Sequence, residues 1–179
     1  MASYLEQKFG LKGKVALVSG SSKGLGKAMA RALAQSGADV IVNGRDPASL
    51  APVVKEIEAL GAKAKAIAAD LGRREDVERM IAEAIAWQGH LDILVNNAGI
   101  IRRAPAAEHS DADWDAVMRV NLDGVFSACR AAGKHMLARG SGKIINTASL
   151  LSFFGGFTVP GYAASKGTVG QLTKALSNE

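Results

Sequence analysis

The sequence predicts an α/β protein built on a doubly wound parallel sheet. Two observations carry this. Short β-rich runs alternate with amphipathic helical stretches at about 30-residue spacing, the pattern of βα units. A glycine-rich turn joins the first run to the first helix, where an open α/β sheet places its ligand edge. Right-handed crossovers then put helices on both faces. No linker, low-complexity tract or repeat beyond the βα alternation interrupts the chain, so residues 1–179 read as a single domain.

The elements follow in order. Val15-Ala16-Leu17-Val18 is a buried strand. Gly24 to Ser36 is a helix with Leu25, Met29 and Leu33 as its apolar stripe and Gly37 as its stop. Val40-Ile41-Val42 is the second strand. Asp46 then caps a helix with Pro47 at its first position; Leu50, Val53, Val54, Ile57 and Leu60 form its stripe, and Gly61 ends it. Lys63 to Ala69 is a less hydrophobic third strand. Val77, Met80, Ile81, Ala84 and Ile85 mark a helix ending at Gly89, and Ile93-Leu94-Val95 the fourth strand. A long helix runs from about Ala112 to Ala138, with Ser110 as its cap. A fifth strand starts at Ile144-Ile145 and ends near Ser149, and a last helix opens at the segment around Tyr162.

Composition narrows the function classes. The chain is 48% hydrophobic and 22% charged, with only 5% aromatics, so aliphatic residues and alanine must fill the core. A net charge of +5 suits anions such as phosphates, but the Lys and Arg residues are scattered and lack an aromatic stacking platform, so no nucleic-acid partner is expected. Cys129 is the single cysteine, and His90, His109 and His135 have no metal-ligand spacing, so no metal is expected. Residues Met1 to Lys8 lack an apolar signal core, and no apolar run approaches the ~20 residues that span a bilayer. The expected partner is a small molecule, the expected location the cytoplasm, with no membrane association.

The chemistry centres on Tyr162 and Lys166, four positions apart in Gly161-Tyr162-Ala163-Ala164-Ser165-Lys166-Gly167. On a helix such residues share a face. An ammonium beside a phenol favours phenolate. A free phenol titrates near ~10, so tuning one to neutral pH takes roughly 3 units, about 4 kcal/mol. A phenol so tuned exchanges protons with a substrate oxygen, as an oxidoreductase of alcohols or ketones requires. A surface Tyr–Lys pair is the ordinary alternative, and spacing alone does not separate the two.

The loop Ser19-Gly20-Ser21-Ser22-Lys23-Gly24-Leu25-Gly26 supplies the second half of such a site. Gly20 permits a tight turn out of the strand; Gly24 and Gly26 permit close approach of backbone, pyrophosphate and helix, whose N-terminus offers free N–H groups. The end of the second strand should meet the adenosine ribose. It reads Asn43-Gly44-Arg45, with no carboxylate before Asp46. Arg45 and Lys23 together suit a 2′-phosphate, which predicts NADP(H) over NAD(H); two solvated cations are the alternative. Asp70 is a candidate acceptor for the adenine amino group or, equally, the cap of a turn.

Together these pieces resemble the short-chain dehydrogenase/reductase family over essentially the whole chain. Gly20, Gly24 and Gly26 match its cofactor loop, with Ser22, Lys23 and Leu25 between them, and Ser19 stands where threonine is commoner. Asp70-Leu71 matches the adenine-side segment, and Asn96-Asn97-Ala98-Gly99 the motif after the fourth strand. Asn121, Ser149, Tyr162 and Lys166 match the four catalytic positions. The resemblance implies a Rossmann-like fold and these roles: Tyr162 as general acid/base, Lys166 beside it and on the nicotinamide ribose, Ser149 donating to the substrate oxygen, and Asn121 holding a water in a relay to Lys166. It also implies a homotetramer or homodimer with faces on the helices near residues 112–138 and 161–178.

Within that family, the sugar-acid members are the best match, on Asn96 to Arg103 and on Ser149-Leu150-Leu151-Ser152-Phe153-Phe154-Gly155-Gly156 followed by Val159-Pro160. Arg102 and Arg103 follow the fourth strand at the ligand edge, and a guanidinium fork suits a carboxylate. One of them is expected to bind the substrate carboxylate, unless the pair is solvated or bound to a nearby acid. A 3-oxoacyl thioester or another ketone is the alternative substrate. Family members continue past the Tyr162 helix into further strands and a substrate-covering segment, so the chain is expected to be C-terminally incomplete. The other reading is therefore an inactive, truncated dinucleotide-binding module.

Overall fold

The structure, a computed structural model, describes residues 4–179. Residues 1–3, the start of the segment read for a signal core, lie outside them. Five parallel strands make one sheet: β1 (Val15–Val18), β2 (Asp39–Gly44), β3 (Ala64–Ala68), β4 (Ile93–Asn96) and β5 (Lys143–Asn146). Their spatial order is β3-β2-β1-β4-β5. The chain therefore reverses its direction of travel across the sheet between β3 and β4, and the crevice at the carboxyl ends of β1 and β4 is the natural ligand position.

The period-two geometry of β1 sorts its side chains onto two cores. Val15 and Leu17 join Ile41, Ile67, Met80, Ile81 and Leu94 on one face. Ala16 and Val18 join Val40, Val42, Leu50, Val53 and Ile57 on the other. Helices α2 (Gly24–Gln35) and α3 (Pro47–Glu58) cover the second face, while α4 (Arg74–Gln88) and α6 (Gly124–Arg139) cover the first. Asp46 caps α3 as its sequence position requires, accepting from Ala48 N at 3.0 Å, and Gly89 leaves α4 at φ +79°. Among the described residues no helix is long and apolar enough to cross a membrane.

Five local expectations need correction. The inward stripe of α2 is Gly26, Ala30 and Ala34, with Met29 and Leu33 partly buried, while Leu25 is 70% exposed. The first turn of α2 lies so close to the loop that only glycine fits inward, which rotates Leu25 outward. In α3, Leu60 falls beyond the last helical residue and is exposed. The long helix is three pieces: α5 (Asp111–Met118), a π segment (Arg119–Asp123) and α6, started by Ser110 accepting from Asp113 N. The fifth strand stops at Asn146 rather than near Ser149, because Ser149 begins a 3₁₀ turn over Leu150–Ser152. A short helix α1 (Tyr4–Phe9), absent from the sequence reading, precedes β1, and α7 (Pro160–Leu176) closes the order.

Candidate active site

The glycine loop leaves β1 over the carboxyl edge of the sheet. Gly20 sits at φ +63°, and a Cβ there would come within 2.8 Å of Ala98 Cα. A Cβ on Gly26 would run into the Gly20 carbonyl and the Asn97 amide. The loop is thus packed so closely on itself and on the Asn97-Ala98 segment that neither position takes a methyl group, and it leads into a helix N-terminus of the kind that binds a pyrophosphate. Gly24 also has a positive φ, of +57°, but open space around it. Behind the loop, Ser19 Oγ accepts from both Asn97 N and Ala98 N at 3.0 Å, and Asn97 Nδ2 donates to the Ser19 and Gly20 carbonyls. The Ser19 hydroxyl therefore locks the Asn97–Gly99 segment to the loop.

Ser21 and Asn43 exchange backbone and hydroxyl hydrogen bonds, Ser21 N to Asn43 O at 2.8 Å and Asn43 N to Ser21 Oγ at 2.9 Å. Lys23 and Arg45 each lie two residues beyond this tie, so both emerge at the end of β2, with Ser22 against Gly44. Both cations are exposed, and neither forms an ion pair among the described residues. Asp70 caps a turn, with Oδ1 accepting from Gly72 N at 2.9 Å; its other oxygen has no hydrogen-bond partner among the described residues. The Leu71 side chain belongs to the core, so any contact to a ligand falls to its backbone.

On the other side of the crevice, α7 carries Tyr162, half-buried, and Lys166, 4% exposed. Lys166 Nζ donates to the Thr147 carbonyl at 2.6 Å and stands 5.8 Å from the Tyr162 ring centroid. Burial pushes the Lys166 ammonium below its ordinary range. Gly99 lies beside it: a Cβ there would be 3.3 Å from Asn121 Oδ1 and 3.9 Å from Lys166 Nζ. Ser149 Oγ accepts from Leu151 N at 3.1 Å, and its own hydrogen has no acceptor among the described residues. The turn thus fixes the oxygen and leaves the O–H free to donate. Glycine loop, Asn97–Gly99 segment, Ser149, Tyr162 and Lys166 share one edge of the sheet.

Residues 14–179 match the family model for short chain dehydrogenases. The chain belongs to the short-chain dehydrogenase family. It is 53% identical over 97% of its length to a 2-dehydro-3-deoxy-D-gluconate 5-dehydrogenase of Pseudoalteromonas atlantica, and spans 68% of that relative. The enzyme of the same name from Escherichia coli is 46% identical over 96% of the chain, which spans 67% of it. Among solved structures, a gluconate 5-dehydrogenase of Burkholderia cenocepacia in complex with NADP and tartrate superposes with a TM-score of 0.91 at 43% identity. That alignment covers 97% of this chain and 68% of the other. Membership makes the protein an oxidoreductase by family.

Within the short-chain dehydrogenase frame, the structure gives further candidate residues these surroundings. Asn121 lies in the π segment, wholly buried, with its amide spent on the protein: Oδ1 accepts from Ile100 N at 2.8 Å, and Nδ2 donates to Ile100 O at 2.9 Å and Ser165 Oγ at 3.1 Å. Its side chain pins the loop after β4 to α7. Arg102 is tied to Asp113 at 3.1 Å, the ion-pair alternative, while Arg103 has no ion pair among the described residues. Leu25, expected at the cofactor, is 70% exposed at the first turn of α2, beside the glycine loop. An open groove of about 470 Å³ between α6 and α7, lined by Leu122, Phe126 and Leu172, does not include Tyr162.

Four residues were missed as participants: Asn43, Ser21, Thr147 and Ser152. Ser152 Oγ donates to Lys166 O at 2.7 Å and accepts from Ser149 N at 3.2 Å, tying the Ser149 turn to α7. A serine three positions after Ser149 is a capping-box signal that the sequence carries. Nothing local marks Thr147, whose carbonyl meets a lysine 19 positions on.

Proposed function

We propose that the chain interconverts a secondary alcohol and a ketone on a keto- or deoxy-sugar acid, using a nicotinamide dinucleotide, with Tyr162 as the general acid/base. The observation that carries this is Lys166 beside the Tyr162 ring, with the Ser149 turn tied to the same helix through Ser152, at the sheet edge that also carries the glycine loop. When bound, the nicotinamide supplies or takes up the hydride. Gly20, Ser22, Lys23, Gly24 and Gly26 would hold its pyrophosphate, Asp70 and the Leu71 backbone its adenine, and Asn97, Ala98, Gly99 and Lys166 its nicotinamide side. Leu25, exposed at the first turn of α2, would lie against the cofactor as well.

The chain's own residues do the rest. In the reducing direction Tyr162 gives its phenolic proton to the carbonyl oxygen, and Ser149 donates a hydrogen bond to that oxygen as charge develops. Lys166, one of whose protons is engaged by Thr147, holds its charge near the phenol and favours the phenolate left behind. In oxidation the proton runs the other way. Asn121 keeps the loop after β4 against α7, and so keeps Gly99 beside Lys166.

Two finer choices belong to this reading. Lys23 and Arg45 favour NADP(H), in keeping with the NADP in the Burkholderia relative. The sugar-acid substrate rests on the names of the similar enzymes and on Arg103, exposed after β4 with no ion pair among the described residues; the 3-oxoacyl class is not favoured. The exposed groove between α6 and α7 suits self-association on those helices, as a homodimer or homotetramer. The test is kcat/KM for NADPH and NADH against keto-sugar acids and 3-oxoacyl esters. The reading expects NADPH with a keto-sugar acid to be the best pair; a clear preference for NADH or for the thioester overturns that choice.

A further inference from the structure

We propose that Asn43 is a positioning residue that fixes the phosphate loop against the adenine-side segment, so that one buried amide sets both ends of the dinucleotide cradle. The inference rests on the reading that a dinucleotide binds at this edge. Asn43 is wholly buried near the end of β2, the strand between β1 and β3. An unpaired buried amide is costly, and this one is fully engaged. Oδ1 accepts from Gly20 N at 3.2 Å, and Nδ2 donates to Ile67 O at 3.0 Å and Ala69 O at 3.4 Å. Gly20 is the first glycine of the loop, and Ala69 directly precedes Asp70. The amide therefore ties the exit of β1 to the exit of β3 across β2.

The sheet ladder does this only in part, since backbone bonding reaches Ala69, whose N–H donates to Gly44 O at 3.1 Å, but not Gly20 N. The β2–β3 register ends at Gly44–Ala68, and the β1–β2 register at Val18–Val42. Gly20 lies beyond the ladder in a left-handed conformation, wedged between the Asn43 amide and Ala98. The Asn43 backbone adds its exchange with Ser21, whose hydroxyl also donates to Val18 O at 2.8 Å. An apolar side chain of similar size leaves Gly20 N–H and two strand-end carbonyls without their partner. The loop and the Asp70 turn are then held to β2 only by the Ser21–Asn43 exchange and by Ala69 N on Gly44 O, and a ligand touching both loses part of its fixed span.

The test is NADPH and NADH binding by fluorescence titration, with melting temperature followed in parallel, on the 179-residue protein, Asn43→Leu and Asn43→Asp. Asn43→Leu is expected to weaken NADPH binding at least ~10-fold at temperatures where it remains folded. Asn43→Asp keeps an acceptor for Gly20 N. Protonated, its second oxygen donates to the Ile67 or Ala69 carbonyl; ionised, it faces those carbonyls as an unpaired charge. Its NADPH affinity, relative to the unsubstituted protein at the same pH, is expected to recover as pH falls from about 8 to about 5.5. A role confined to stability lowers both melting temperatures and leaves affinities unchanged. Wild-type affinity in a folded Asn43→Leu, or no pH-dependent recovery in Asn43→Asp, overturns the proposal and leaves the dinucleotide reading standing; if Asn43→Leu does not fold, Asn43→Asp decides alone. An unsubstituted protein that binds neither cofactor overturns the dinucleotide reading and this proposal with it.

Discussion

Lys166 is a charged group taken almost wholly out of water, with the Thr147 carbonyl as its one hydrogen-bond acceptor among the described residues. Such burial is expensive, and burial lowers the lysine's affinity for its proton. Its pairing with Tyr162 was legible because i and i+4 meet on any helix. Its anchor was not, because that contact depends on where β5 ends. The same limit applies to the arginines. Adjacent in sequence, Arg102 and Arg103 differ only once the fold brings Asp113 to Arg102. Arg103→Ala is therefore expected to raise KM for sugar acids by about 10-fold or more, the scale of one charge-assisted bond, and to leave neutral ketones unchanged. Arg102→Ala should move KM little, since its side chain is half-exposed and already paired. Steady-state kinetics on acid and neutral substrates checks both.

At the scale of elements, every strand and every long helix was legible, because hydrophobic period and end signals such as Asp46-Pro47 and Gly89 act locally. The phase of α2 was not: Leu25, Met29 and Leu33 have the right spacing, but Gly26 must face the loop, and that turns Leu25 outward. Nor was the π segment, since Arg119–Asp123 has an ordinary helical composition; what the wider turn achieves is to aim Asn121 at Ile100 and Ser165. The loop glycines separate two physical demands. Gly24→Ala meets open space and pays only for its positive φ, about 1–2 kcal/mol. Gly26→Ala drives a methyl group into the Gly20 carbonyl, so backbone must move, and overpacking of this kind costs about 1–3 kcal/mol. Thermal melts should show both losses. Fluorescence titration should show the larger loss of NADPH affinity in Gly26→Ala, roughly 10- to 100-fold.

At the scale of the molecule, Asp92 joins the elements opposite the ligand edge. Its carboxylate accepts from Val15 N at 2.9 Å and pairs with Lys14, His90 and Arg139, linking β1, the approach to β4 and the end of α6. Burial pushes its carboxyl up, but the Val15 bond and the neighbouring Lys14, His90 and Arg139 side chains together hold it below the usual range. A lowered folded-state value stabilises the fold above the unfolded value, and that gain is lost as pH falls through the folded one. Asp92→Asn should therefore cost about 1.5–3 kcal/mol at neutral pH, with the gap to the unsubstituted protein closing below about pH 4. Denaturant unfolding across pH measures this. The doubly wound order was legible from the βα alternation, whereas Asp92 was not, because its partners lie up to 77 positions away. The central claim, that Tyr162 is the acid/base of a dinucleotide-dependent oxidoreductase, spans the whole sheet edge and has one direct measurement. NADPH oxidation with a keto-sugar acid is compared between the unsubstituted protein and Tyr162→Phe, with NADPH affinity measured on both. The account predicts equal affinity and a turnover lower by about 10²- to 10⁴-fold in the variant; turnover retained in Tyr162→Phe contradicts it.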